Sequence, residues 1–168
     1  MLALTRSAKQ TDCVENREHL RRLANVWLRN PIYFVTVCTL HRKPILAAPV
    51  PVDILREAWQ STPEKHGWVV GRYVVMPDHV HFFARPQLQG KTVAAFVRDW
   101  KKWTSRRLSS IAPAEQTIWQ LEFFDHVVRS EKSYAEKWEY VRQNPVRAGL
   151  VAGPDDWPFS GELEGLTY

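Results

Sequence analysis

The chain is poor in the features that mark specialised protein classes. Cys13 and Cys38 are the only cysteines in 168 residues, so no disulfide framework is expected and a reducing compartment fits. No apolar run approaches the roughly 20 residues that span a bilayer, and residues 1–7 lack an apolar core of signal-peptide length. These absences predict a soluble, cytoplasmic protein with no membrane partner. Low-complexity tracts and internal repeats are missing too, which excludes fibrous and solenoid architectures.

What the chain does contain is the makings of one domain with its own core. A formal charge of +5 and an isoelectric point near 9.4 favour an acidic partner, nucleic acid being the commonest. Eight tryptophans are many for this length; packing accounts for most by default, and a π-face is also a stacking surface for nucleobases.

The chemistry centres on residues 73–84, a β-prone run in which His79 and His81 stand one residue apart. Alternate residues of a strand project from the same face, so both imidazoles point one way and Val80 the other. Two imidazoles at that spacing can share one divalent ion, and a third ligand must then come from elsewhere. The competing interpretation is a pair of strand histidines facing solvent or satisfied in the core. A second stretch, residues 138–150, places Tyr140 four residues before Asn144. On a helix that spacing shares a face, so both can look at the same ion.

Together these stretches resemble the single-tyrosine HUH transposases, and among them the REP-associated tyrosine transposases that act on repetitive extragenic palindromes. The family's His-hydrophobic-His motif reads here as His79-Val80-His81, and its nucleophile signature as Tyr140 to Leu150, with Tyr-x-x-x-Asn-Pro intact. Residues 118–129 and the tail Asp156-Trp157-Pro158-Phe159-Ser160 also look like family segments, so the resemblance covers roughly residues 31–160. It divides the chain into an N-terminal extension (1–30), the HUH domain (31–160) and a short tail (161–168).

In chain order, Leu20, Leu23, Val26 and Trp27 give the extension a short amphipathic helix, with Arg17, Arg21, Arg22 and Arg29 either on a solvated face or against phosphates. Ile32 to Leu40 is β-branched and aromatic and predicts a buried strand. Ile54, Leu55, Ala58 and Trp59 share one helical face, Pro51 suits that helix's first turn, and Pro63 and Gly67 end it. Strands then run from Trp68 to Met76 and His79 to Arg85, turning at Pro77-Asp78. Lys91 to Ser109 reads as a helix with Arg98, Lys101, Lys102, Arg106 and Arg107 on it, either a solvated face or a phosphate-binding one. Phe123 to Val128 is a further strand; Asp125 and His126 on it face opposite ways, and His126 reads as structural or DNA-facing. Ser130 is an N-cap with Glu131 in the first turn of the helix carrying Tyr140, and Pro145 ends or kinks that helix beside Asn144.

This order predicts an α+β fold, a ferredoxin-like βαββαβ core whose antiparallel sheet carries packed helices, plus an added C-terminal helix bearing the tyrosine. Such a fold settles no function by itself. The resemblance implies a metal-dependent enzyme that nicks and rejoins single-stranded DNA beside hairpins. Tyr140 would be the nucleophile forming a 5′-phosphotyrosine, His79, His81 and Asn144 would hold Mg²⁺ or Mn²⁺, and Arg42, Lys43, Arg147 and the basic helix would contact phosphates. Two other functions compete: a non-cleaving hairpin-binding protein on the same fold, and a small metallohydrolase drawing on Asp78 or Asp125. Whether the protein is a monomer or a homodimer is open at this level.

Overall fold

Alternation along Ile32–Cys38 (β1) settles how the molecule is layered, because its odd and even residues enter different cores. The computed structural model describes residues 31–111 and 117–167, so the expectations for the N-terminal extension lie outside the described residues. After β1 come the helix Pro49–Gln60 (α1), a short helix Thr62–His66 (α2), the hairpin Trp68–Val75 (β2) and His79–Pro86 (β3), and the long helix Val93–Ile111 (α3). Phe124–Val128 (β4), Glu131–Arg142 (α4), Asn144–Arg147 (α5) and Ser160–Glu162 (β5) complete the order.

The five strands form one sheet in the order β4-β1-β3-β2-β5, every neighbouring pair antiparallel. Without β5, this is the βαββαβ arrangement expected from the sequence. On one face Val35, Val37, Val80, Phe82 and Ala84 pack against Leu55, Trp59, Phe96 and Trp100 of α1 and α3. Trp59 and Trp100 stack there with ring centroids 5.7 Å apart and planes 5° from parallel. On the other face Ile32, Phe34, Val74 and Phe83 meet Tyr134 and Val141 of α4, together with Trp157. The sheet therefore separates α1 and α3 from the tyrosine helix. His81, two residues from Phe83 on β3, belongs to the α4 face.

Helix boundaries follow local chemistry. α1 opens at Pro49, three residues before Val52, and keeps Pro51 in its first turn. Pro63 does not end that helix: it sits in the first turn of α2, and Gly67 caps α2 with φ 67°. A Cβ at Gly67 would lie 2.7 Å from Gly90 Cα, so the position favours glycine on two counts. Ser130 caps α4 as expected, accepting from the Ser133 amide at 3.1 Å. α4 stops at Arg142, and Asn144 and Pro145 open α5 after the Gln143 junction, which is the break that proline imposes.

β5 was not anticipated. Three residues carry no periodicity, and their placement comes from the tail before them: Trp157 Nε1 donates to Val75 O at 3.0 Å and the Val75 amide to Phe159 O at 2.8 Å. Among the described residues no helix is long and apolar enough to cross a membrane. Five of the tryptophans, Trp59, Trp68, Trp100, Trp119 and Trp157, are buried, so packing is their main use.

Candidate active site at the histidine pair

β3 begins at His79, so both imidazoles leave the strand at the mouth of the β2–β3 hairpin, and both are buried. Their Nε2 atoms face each other at 3.1 Å. Each Nδ1 is held from behind. His79 Nδ1 lies 2.6 Å from Asp78 Oδ1, and His81 Nδ1 lies 2.8 Å from the Thr36 hydroxyl on the paired strand. Burial raises the Asp78 carboxyl, but the His79 hydrogen bond and charge and the Arg42 guanidinium outweigh it, and the net shift is downward. An ionised Asp78 only accepts, so the His79 Nδ1 that faces it is protonated.

His81 is held well below the ordinary imidazole range, by burial first and then by the charges of His79, Lys137, Arg42 and Arg147. It is therefore neutral. Its single proton serves one of two contacts, with His79 Nε2 or with the Thr36 hydroxyl, and the other ring nitrogen is then bare. With the proton on Nδ1 the Nε2 lone pair of His81 is free and the Thr36 hydroxyl accepts, since a hydroxyl can play either part. A ligand histidine anchored through its other nitrogen is the usual outer-shell arrangement of metal sites.

Arg42 closes the pair on the solvent side. Its Nε lies 2.7 Å from Asp78 Oδ2 and its Nη1 3.0 Å from Cys38 Sγ. His41 and Arg42 both adopt left-handed backbone, φ 55° and 56°, which costs a non-glycine residue roughly 1 kcal/mol or more. The loop is pinned there by Thr39, whose amide and hydroxyl both donate to Asp78 O at 2.9 Å, and by the Leu46 amide donating to Pro77 O at 2.9 Å. Lys43 follows, half-buried, with its carbonyl accepting from the Thr39 hydroxyl. Cys38 is disulfide-bonded. That corrects the expectation of a reduced thiol at this position.

α4 brings the tyrosine over this face. Tyr140 is half exposed, its ring flanked by Arg147 at 4.1 Å and Lys137 Nζ at 5.4 Å from the ring centroid. Arg147 donates to Tyr140 O at 2.7 Å and to Asn144 Oδ1. Lys137 Nζ also stands 4.8 Å from the Phe34 centroid, and Phe34 stacks on His81 at 5.3 Å. Tyr140, Asn144, Arg147 and the histidine pair thus share one side of the sheet, linked through Lys137 and Phe34.

The basic helix is not part of this grouping. α3 lies on the opposite face, where Arg98 pairs with Asp99 at 3.1 Å and Arg107 with Glu57 at 3.2 Å. Lys101 Nζ donates to the carbonyls of Gln120, Leu121 and Glu122 at 2.9, 3.0 and 3.0 Å, holding the approach to β4. Lys102 and Arg106 are exposed and line a cleft with Lys65, His66 and Trp103.

Among the described residues no cluster of three or more His, Cys, Asp or Glu side chains could hold an ion. Asp78 sits behind His79 at Nδ1, away from Nε2, and Asp125 lies opposite Val35, whose side chain enters the α1–α3 core. Neither can join the pair, which removes the donor set of a metallohydrolase. His126 lies opposite Phe34, on the histidine face; burial, then Lys137 and Arg129, lower it against Asp125. Among the described residues on this face, the side chains that could donate to an ion include the two histidines and the Asn144 amide, whose oxygen accepts from Arg147.

Sequence reasoning missed Thr36, Lys137 and Phe34. A threonine inside an apolar strand, and a lysine three residues before the tyrosine on one helix, were the available signals.

Fold and site define a class first: a ferredoxin-like sheet that presents anchored paired histidines beneath a helix-borne tyrosine. Residues 28–144 match the family of IS200-like transposases, and the chain belongs to that family. It is 27% identical over 135 residues to the REP-associated tyrosine transposase of Escherichia coli K12, covering 80% of this chain and 78% of that one. It is also similar to a solved REP-associated tyrosine transposase bound to a REP hairpin, with 26% identity, a TM-score of 0.67, and coverage of 84% of this chain and 82% of that one. A Deinococcus radiodurans structure shares the fold at 20% identity and TM-score 0.53, covering 73% of this chain and 97% of that one.

Proposed function

We propose that this transposase nicks and rejoins single-stranded DNA beside hairpins of the repetitive extragenic palindrome type, through a covalent 5′-phosphotyrosine on Tyr140. The observation that carries the reading is the pair of Nε2 atoms 3.1 Å apart, each ring anchored through Nδ1, on the sheet face against which α4, the helix bearing Tyr140, packs. The two Nε2 atoms converge and each ring is anchored through its other nitrogen, a donor set that suits a divalent cation such as Mg²⁺ or Mn²⁺.

His79, His81 and Asn144 would hold the ion, with Arg147 releasing the Asn144 oxygen to it. When bound it supplies Lewis acidity at the phosphate. The Tyr140 oxygen attacks phosphorus, the bond from phosphorus to the 3′ oxygen breaks, and that oxygen leaves as a free 3′-hydroxyl. Attack by a 3′-hydroxyl on the phosphotyrosine restores a diester and frees the tyrosine, so the cycle needs no ATP. A diester inside a duplex cannot reach a tyrosine on a small sheet, which is why the substrate strand is single. Arg42, Lys43 and Arg147 lie where phosphates would approach; the cations of α3 would serve only DNA that passes the far face.

The test is incubation of the full chain with labelled hairpin oligonucleotides in Mn²⁺ or EDTA, followed by denaturing gels. A covalent adduct that needs metal and disappears in Tyr140→Phe is expected. Tight binding with no adduct would favour a non-cleaving hairpin-binding protein, and cleavage surviving Tyr140→Phe would overturn the nucleophile.

A further inference from the structure

We propose that Lys137 is a catalytic residue of this site, its ammonium group binding a non-bridging oxygen of the scissile phosphate as phosphorus passes from the 3′ oxygen to Tyr140. The inference rests on the transesterification reading and adds a residue to it. Lys137 lies one helical turn before Tyr140, with Nζ 5.4 Å from the centroid of that ring. The same Nζ is 4.8 Å from the Phe34 centroid, and Phe34 stacks on His81. The ammonium therefore lies beside the ring of the nucleophile and beside the ring that stacks on His81, within reach of a phosphate brought to both.

Its neighbours leave the charge available. On α4, Lys132 pairs with Glu136, and Arg142 with Glu139 and Asp155. Lys137 has no carboxylate partner among the described residues and rests on π faces instead, an attraction weak enough to exchange for a phosphate oxygen. Its charge is felt across the face, lowering both His81 and His126. Phosphoryl transfer spreads negative charge over the non-bridging oxygens, and a half-buried cation already in place stabilises it without reorganisation.

The test uses the full chain, Mn²⁺ and a hairpin oligonucleotide that the wild type nicks. Lys137→Met keeps the aliphatic packing on Phe34 and removes the charge. Single-turnover nicking should fall about 100- to 1,000-fold, the scale for loss of one preorganised oxyanion partner. Lys137→Arg should recover most of the rate, and the unfolding midpoint should stay unchanged. A second readout needs no turnover. In a Tyr140→Phe background, a neutral methylphosphonate at the mapped junction should weaken binding more when Lys137 is present than with Lys137→Met. Nicking by Lys137→Met at the wild-type rate, a loss that Lys137→Arg does not recover, or the same methylphosphonate effect in both backgrounds would overturn the proposal alone. A wild type that nicks no hairpin would overturn the transesterification reading and this one with it.

Discussion

Lowering the pH of the metal-free protein isolates the buried imidazole of His81. Burial, and after it the charges of His79, Lys137, Arg42 and Arg147, hold this group well below 6.5, the value it has in an unfolded chain. Below about pH 6.5 the unfolded state takes up a proton that the folded state refuses. The stability contributed by neutral His81 is therefore full above that pH and is lost as pH falls. With the folded group neutral throughout, going from pH 7.5 to 5.5 raises the proton-binding factor of the unfolded state about tenfold, which removes about 1.4 kcal/mol. Urea unfolding in EDTA at the two pH values, for wild type and His81→Gln, measures it. Glutamine still meets the Thr36 hydroxyl but does not titrate, so the wild type should lose about 1.4 kcal/mol more than the variant. Equal losses would refute the assignment of a neutral, buried His81.

Three further outcomes follow from particular contacts. Thr36→Val removes the hydroxyl 2.8 Å from His81 Nδ1, and Mn²⁺ affinity by calorimetric titration should fall about 10- to 100-fold; an unchanged affinity would mean the hydroxyl does not support the ligand. Ser130→Ala strips the cap from the tyrosine helix and should lower urea stability by about 1 kcal/mol, whereas no change would deny the cap its role. A Cβ at Gly161 would meet Tyr73 Oη at 2.8 Å, so Gly161→Ala should destabilise by about 1–3 kcal/mol and speed amide exchange in β5, and a neutral substitution would contradict the close approach.

The parts of this molecule legible in the sequence were those with periodicity or a strong local signal. β1, the β2–β3 hairpin, α3 and the Ser130 cap all announced themselves, as did the break at Asn144, and from them the βαββαβ succession of elements followed. β5 did not, because its position is set by Trp157 and Phe159 bonding to β2 rather than by its own residues. The two histidines and the tyrosine could be placed on a strand and a helix, but their supports could not. The Thr36 contact needs the β1–β3 register, in which Thr36 stands opposite His81. The left-handed turn at His41 and Arg42 depends on hydrogen bonds to the Pro77 and Asp78 carbonyls. The basic helix shows the converse limit: a one-sign charge pattern was visible, but its face of the sheet, and Lys101's use as a carbonyl clamp, are tertiary facts.

The most direct test of the central claim is peptide mapping of the covalent protein–DNA adduct by mass spectrometry. Trypsin cuts after Lys132, Lys137 and Arg142, so Tyr134 and Tyr140 fall on different peptides, Ser133–Lys137 and Trp138–Arg142. The account predicts a nucleotide phosphate on the second peptide, at Tyr140, formed only with divalent metal. A nucleotide on the first peptide, or a nicked strand with every tyrosine unmodified, would contradict it.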